Sequence, residues 1–367
     1  MIEIKDKKRC SGCCGCANIC PKKCIAMVED EEGFWYPQVD KDKCINCGLC
    51  EKVCPILQKK IPLQTEPQVF AAYNKDKDVR MKSSSGGIFS ILAETILQDG
   101  GVVFGATFDS NFEVKHDFIE KVEDLDKLRI SKYVQSNIGD CYAKAKQFLD
   151  DGRTVLFTGT PCQIGGLKSF LLDKEYENLY TQDIICHGVP SPGVWRAYLK
   201  FREEKANSKI KLVTFRKKEV SWRRYTFSIC FEDGTEYKKT PYFKDPMMKM
   251  FLHNKCLRPS CHDCFFKTKR RFADITLADF WGVEKVVPEM DDKMGVSLVF
   301  VHSEKGKKIF DYMKDRMIFK QVEFDKAIIK NGPMLNSVKP FGRKGLMKDF
   351  AKKPFPKVIK KHGQGIY

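Results

Sequence analysis

From Val69 onward, apolar and polar positions fall into short blocks that alternate between two periods. Val69–Tyr73, Val102–Phe108, Thr154–Phe157, Tyr180–Ile185 and Val296–Val301 are apolar runs of strand length. Between them, Gly87–Leu97 places Ile88, Ile91, Leu92 and Ile96 on one helical face, and Asp140–Leu149 and Lys305–Met313 also read as helices. Phe227–Phe231 and Tyr237 flank Asp233-Gly234, a hairpin signal. The alternation predicts an α/β body with a mixed sheet. Residues 1 to 58 are different: they carry little regular periodicity and are dense in cysteine. The expected layout is therefore a small domain over 1–60, a Pro-bearing linker over 61–68, a body in two parts over 69–150 and 151–320, and a basic tail over 321–367.

The small domain repeats itself. Cys10, Cys13, Cys16, Cys20 and Pro21 follow a C-x2-C-x2-C-x3-C-P spacing, and Cys44, Cys47, Cys50, Cys54 and Pro55 follow it again. A cubane needs four thiolates converging on one object; a tight loop supplies three, and the cysteine before proline ligates the other cluster. The spacing thus assigns Cys10, Cys13, Cys16 and Cys54 to one [4Fe–4S] cluster and Cys44, Cys47, Cys50 and Cys20 to a second. Zinc rarely uses this spacing twice with a proline after each fourth cysteine. An α+β ferredoxin-like domain is expected here, with Cys14 and Cys24 as bystanders. Such clusters move electrons and have no organic chemistry of their own.

Composition narrows the setting. The 367 residues hold 17 cysteines, an odd number on a long chain whose start lacks a signal-peptide pattern, so a cytoplasmic protein with metal-binding cysteines is expected rather than a disulfide framework. No apolar run reaches the length of a membrane span. Sixty-five Lys and Arg against 48 Asp and Glu give a formal charge of +17. No nucleic-acid motif accompanies that charge; an acidic electron carrier such as ferredoxin or flavodoxin suits it better.

Four segments of the body carry candidate chemistry. In Lys82–Ser90 (KSSSGGIFS), serines and glycines open a helix, which fits either an anion site or an ordinary cap. In Phe157–Leu167 (FTGTPCQIGGL), a strand ends, Thr160 can cap a helix with Pro161 first, and Cys162 falls in the first turn, where the helix dipole favours a thiolate. Asp183–Trp195 (DIICHGVPSPGVW) puts Cys186 just past a strand, and Cys256–Cys264 (CLRPSCHDC) holds Cys261 and Cys264 on a loop. Ligands in open α/β sheets gather outside the carboxyl ends of strands, so Cys162, Cys186, Cys261 and Cys264 could make a third cubane. Two alternatives stand beside it: a zinc site of Cys261 and Cys264 with His262 or Cys256, and a nucleophilic or redox-active Cys162. Cys141 and Cys230 read as buried, inert thiols.

Together with Ile130–Ser136 (ISKYVQS) and Ala273–Gly282 (ADITLADFWG), these segments resemble the beta subunit family of coenzyme F420 hydrogenases and dehydrogenases, in the bacterial form with a fused two-cluster ferredoxin domain. The resemblance runs from Cys10 to about Val301. It implies an FAD-containing iron–sulfur oxidoreductase whose body binds the flavin. Ser84, Ser85, Gly86, Gly87, Lys132, Tyr133 and Ser136 become candidate flavin contacts, and Asp279 and Trp281 admit both a flavin contact and plain packing. Cys256 lies where the family pattern tolerates other residues, which leaves Cys162 as the implied fourth ligand. The deazaflavin coenzyme itself is not implied. The expected function is to pass electrons between a low-potential carrier, the clusters and FAD so as to reduce a small-molecule substrate that the sequence does not name; the alternative is an electron-transfer subunit of a larger complex.

Overall fold

The computed structural model describes residues 1–63 and 65–364. Gln64, within the expected linker, and the last three residues lie outside the described residues. The small domain folds around one hairpin, β1 (Ile25–Glu29) and β2 (Trp35–Val39), with short helices at Gly15–Ile19 and Leu49–Lys52. The body begins with β3 (Gln68–Asn74), helix Ile88–Gln98, β4 (Val102–Phe108), β5 (Val114–Ile119), helix Cys141–Asp150, β6 (Val155–Thr158), helix Pro161–Phe170 and β7 (Leu179–Ile184). Helix Pro192–Ala206 leads to β8 (Ile210–Lys217), β9 (Thr226–Phe231) and β10 (Glu236–Lys239), a separate antiparallel sheet. The chain then returns through β11 (Ile275–Asp279), β12 (Ser297–Val301), helix Glu304–Met313 and β13 (Met317–Gln321).

The eight-stranded sheet has the order β13-β3-β12-β11-β7-β6-β4-β5. Its middle strands β11, β7, β6 and β4 are parallel, and antiparallel strands close both ends. The period-2 alternation of a strand explains its two cores. Val103 and Leu156 face helix Ile88–Gln98 and helix Glu304–Met313, whereas Val102, Phe104, Val155 and Phe157 face helices Cys141–Asp150 and Pro161–Phe170. A third core joins the small sheet, helix Pro192–Ala206 and the C-terminal helices Arg343–Phe350 and Phe355–His362. The basic C-terminal segment is thus folded, with Leu346, Met347, Val358 and Ile359 buried and its lysines outward. Among the described residues, no helix is long and apolar enough to cross a membrane.

The cysteine-rich domain is seated against the body. Gly33, at φ +79° in the hairpin turn, meets Gly193 backbone to backbone; a Cβ built at Gly33 would lie 2.5 Å from the Gly193 Cα. Arg196 closes a fork on Glu29 with contacts of 3.0 and 3.1 Å, and Arg343 pairs with Glu32. Gly33→Ala should therefore lower the stability of the reconstituted protein by about 3 kcal/mol, through the left-handed φ and a clash that no side chain can relieve. Thermal unfolding checks this: an unchanged Tm would mean that the two glycines do not touch.

Candidate iron–sulfur and flavin site

Seventeen free thiols give the site its chemistry, and most of them surround three hollows. Cys10, Cys13, Cys16 and Cys54 line one of about 390 Å³, and Cys20, Cys44, Cys47 and Cys50 line another of about 370 Å³. Each hollow draws three cysteines from one loop and one from the other repeat. The third encloses about 660 Å³ up to its open mouth and is lined by Cys162, Cys186, Cys261 and Cys264. Cys256 does not line it; that thiol is 0% exposed and packs into the core around Trp195 and Phe251.

Local structure brings the four body cysteines together. β6 and β7 are parallel neighbours, so the turns after their carboxyl ends carry Cys162 and Cys186 to the same side of the sheet. Thr160 caps helix Pro161–Phe170, and the Gln163 amide oxygen accepts from the Thr160 backbone N–H at 2.9 Å. Cys261 and Cys264 sit on the short 3-10 turn Pro259–Asp263 and just after it, and Cys261 Sγ accepts from the Val189 N–H at 3.4 Å. Gly165 and Gly166 are required by neighbours: a Cβ at Gly166 would lie 2.8 Å from Cys13 Cβ, and one at Gly165 would lie 2.6 Å from the Phe266 ring. The third hollow also takes Arg9, Ser11 and Ile56 from the cysteine-rich domain, and Arg9, Ser11 and Ile56 line the Cys10 hollow as well.

Burial and neighbouring thiols set the electrostatics of these cysteines. Burial, then the neighbouring Cys264, raises the Cys162 pKa well above its ordinary value, which outweighs the helix-start effect expected from the sequence. Burial, then Cys186, pushes Cys261 up to about 12, and burial, then Cys54, does the same to Cys13. Crowded thiols that oppose one another's ionisation stay protonated until a cation deprotonates them, and a polynuclear cluster would do so. Among the described residues, no three His, Cys, Asp or Glu side chains gather closely enough for a single metal ion.

Cys14 and Cys24 are not remote from the clusters. Both are buried; Cys14 lines the Cys10 hollow, and Cys24 lines the Cys44 hollow with its sulfur 3.3 Å from that of Cys20. Cys141 is buried as expected, but Cys230 is only half-buried, on β9 beside Glu236.

The flavin candidates divide into two groups. Gly87 adopts φ +81° and caps helix Ile88–Gln98 without any side-chain bond to the first turn, which leaves that helix end suited to an anion. Ser84 accepts from the Ser131 N–H at 2.9 Å and so ties the loop to Lys132. The Lys132 ammonium donates to the carbonyls of Arg129 and Ile130, at 3.0 and 3.2 Å, and lies over the Phe108 ring; desolvation pushes its pKa down to about 7. Lys218, which no sequence motif marks, donates to the carbonyls of Arg80, Ser85 and Met294; burial, then Arg216 and Arg80, also brings it to about 7. The Lys132 ammonium, with two of its three donors on carbonyls beside an uncapped helix start, fits a phosphate-bearing cofactor, whereas all three Lys218 donors are taken by carbonyls. The rest of the set is engaged internally. Ser85 donates to the Val296 carbonyl at 2.9 Å, and the Gly86 N–H donates to Ser297 Oγ at 3.0 Å. Ser136 is held by His116 and Gln163, both at 2.9 Å. Tyr133 stacks on Phe251 and accepts from Arg216 at 3.2 Å. Asp279 pairs with Arg216, and Trp281 stacks on Trp222.

Comparison with known proteins fits this geometry. Residues 9–56 match the 4Fe-4S dicluster domain, and residues 152–327 match the family described as the C terminus of the coenzyme F420 hydrogenase/dehydrogenase beta subunit. A structure of the xenon-derivatised F420-reducing [NiFe] hydrogenase complex from Methanosarcina barkeri contains a similar chain. The likeness covers 83% of this chain and 95% of that one, at 20% identity and a TM-score of 0.49. No curated protein matches the chain. The molecule is therefore an iron–sulfur protein of the oxidoreductase-related, electron-transferring class. Within that class, residues 152–327 match the C terminus of the coenzyme F420 hydrogenase/dehydrogenase beta subunit, behind an N-terminal 4Fe-4S dicluster domain.

Proposed function

We propose that this chain is an iron–sulfur flavoprotein that passes electrons between a low-potential one-electron carrier and FAD for the reduction of a small-molecule substrate. Cys10, Cys13, Cys16 and Cys54 hold one cluster, Cys44, Cys47, Cys50 and Cys20 a second, and Cys162, Cys186, Cys261 and Cys264 a third. The observation that supports this most is the shared wall: Arg9, Ser11 and Ile56 line both the Cys10 hollow and the body hollow, so the wire continues into the sheet. Lys132 and the Ser84 loop hold the flavin phosphates, and FAD supplies the step from one-electron delivery to two-electron reduction. Acid extraction of the anaerobically purified chain tests the flavin; a full complement of clusters with no flavin after reconstitution would overturn it.

A second reading, an electron relay docked in a larger complex, is favoured by the family's description as a beta subunit. Purification separates the two: a chain that alone turns over an acceptor is an enzyme, and one that does so only within an assembly is a relay.

The +17 charge supports an acidic carrier as partner, a ferredoxin or flavodoxin. Reduction of the chain by such a carrier should slow steeply as salt rises from about 0.05 to about 0.5 M, because the Debye length contracts below the reach of surface fields. Stopped-flow rates that stay flat over this range would reject charge steering.

A further inference from the structure

Arg258 precedes the turn that carries Cys261 and is 0% exposed. Its side chain ends at the contact between the body and the cysteine-rich domain. There Nε donates to the Cys10 carbonyl at 2.8 Å, Nη2 to the Trp35 carbonyl at 2.9 Å, and Nη1 to Gln135 Oε1 at 3.1 Å. The guanidinium lies over the Tyr36 ring, 4.2 Å from its centroid. These partners are neutral, and a buried cation needs an anion. The anion the geometry offers is the Cys10 sulfur, 3.6 Å from Nη2.

The other end of the same residue is fixed just as firmly. The Arg258 N–H donates to the Val189 carbonyl at 3.0 Å, and its own carbonyl accepts from the Cys261 N–H at 2.9 Å. One residue thus joins Cys10 to Cys261 through a hydrogen bond at each end. Gly12 is left without a side chain because a Cβ there would lie 2.9 Å from the guanidinium carbon.

We propose that Arg258 is a positioning residue that couples the Cys10 cluster to the body cluster, bridging a ligand of each and placing its buried charge between them. The proposal rests on the ligand sets given under the proposed function. Two consequences follow from the placement. A fixed positive charge favours the more negative, reduced form of each neighbouring cluster, so it raises both potentials. The bridge also gives a continuous hydrogen-bonded connection between the two ligand sets, along which one electron would pass from the Cys10 cluster to the body cluster with no proton moved and no covalent bond changed. The electron comes first from the low-potential one-electron carrier.

The test uses the full chain, reconstituted anaerobically, as Arg258→Met and Arg258→Lys. In a potentiometric titration followed by electron paramagnetic resonance, the Met variant should lower the ratio of reduced to oxidised Cys10 cluster and body cluster about tenfold at a fixed potential, or about 59 mV for one electron. The Cys44 cluster, none of whose ligands Arg258 touches, serves as internal reference and should not move. The Lys variant keeps the charge and loses the fork. It should hold potentials near those of the unsubstituted chain, while freeze-quench transfer from the cysteine-rich domain to the body slows about tenfold. Unmoved potentials in the Met variant, or an equal shift of all three clusters, would overturn the proposal. If the Met variant fails to hold its clusters, an unslowed transfer in the Lys variant overturns it alone. Failure of the underlying ligand reading is seen separately, as about eight irons in the unsubstituted chain.

Discussion

Serine at Cys162, Cys186, Cys261 or Cys264 should each lower iron from about twelve to about eight per chain and leave the two N-terminal clusters in place. The four residues act as one group because they line a single hollow and raise one another's pKa values. Each variant should also cut electron flow from the cysteine-rich domain to the flavin to a small residue of its former rate, since no other cysteine group spans that interval. Cys256→Ser should keep all of its iron, because that thiol sits in the core beside Trp195 rather than in the hollow. Cys141→Ser and Cys230→Ser should do the same. Iron analysis with paramagnetic resonance reads all seven variants. Iron loss in Cys256→Ser together with full iron in Cys162→Ser would replace Cys162 by Cys256 in the ligand set and leave Cys162 as a redox thiol.

Lys132→Met should weaken FAD binding about ten- to hundredfold, the contribution of one charge-assisted hydrogen bond to a phosphate. The pH dependence follows from the same group. In the cofactor-free chain, desolvation brings the Lys132 pKa down to about 7, and Lys218 stands at a similar value beside Arg80 and Arg216. Above that pH the Lys132 ammonium loses its proton, so binding an anion there must take a proton up and affinity falls as pH rises. The sign for stability is the opposite: the unfolded lysines bind more protons between about pH 7 and 10.5, so the cofactor-free fold gains stability as pH rises through that window. Titrations of FAD into the deflavinated chain at pH 6.5 to 9 check the binding arm, and denaturant unfolding of that chain over the same range checks the stability arm. An affinity independent of pH, and equal in Lys132→Met, would place the phosphates elsewhere.

The clusters of the cysteine-rich domain were legible because three of the four expected ligands of each lie in one short loop, and the spacing with its closing proline repeats. Cys162, Cys186, Cys261 and Cys264 were legible as a group because three strand-and-turn patterns end in cysteine. What brings them together, the parallel pairing of β6 with β7, is a long-range feature that no local period records. The strands β8 and β11 were missed for a similar reason. β8 alternates irregularly through two register shifts against β9, and β11 is a run of only five residues inside a motif noticed for its chemistry. Lys218 left no signal, and Arg258, though inside the motif Cys256–Cys264, was not marked by the cysteine spacing. A charged residue in a loop reads as solvated, and only the fold reveals that one is wrapped in carbonyls and the other driven through a domain contact. Cys14 and Cys24 were expected as bystanders, and spacing did not reveal that they line the hollows beside the expected ligands.

An anaerobic reductive titration of the reconstituted chain with titanium(III) citrate counts every redox group at once. Three cubanes and one flavin take up about five electrons per chain, with bleaching of the flavin absorbance among them. Uptake that stops at about two electrons with no flavin bleached would contradict the account, and would leave only the two clusters of the N-terminal domain.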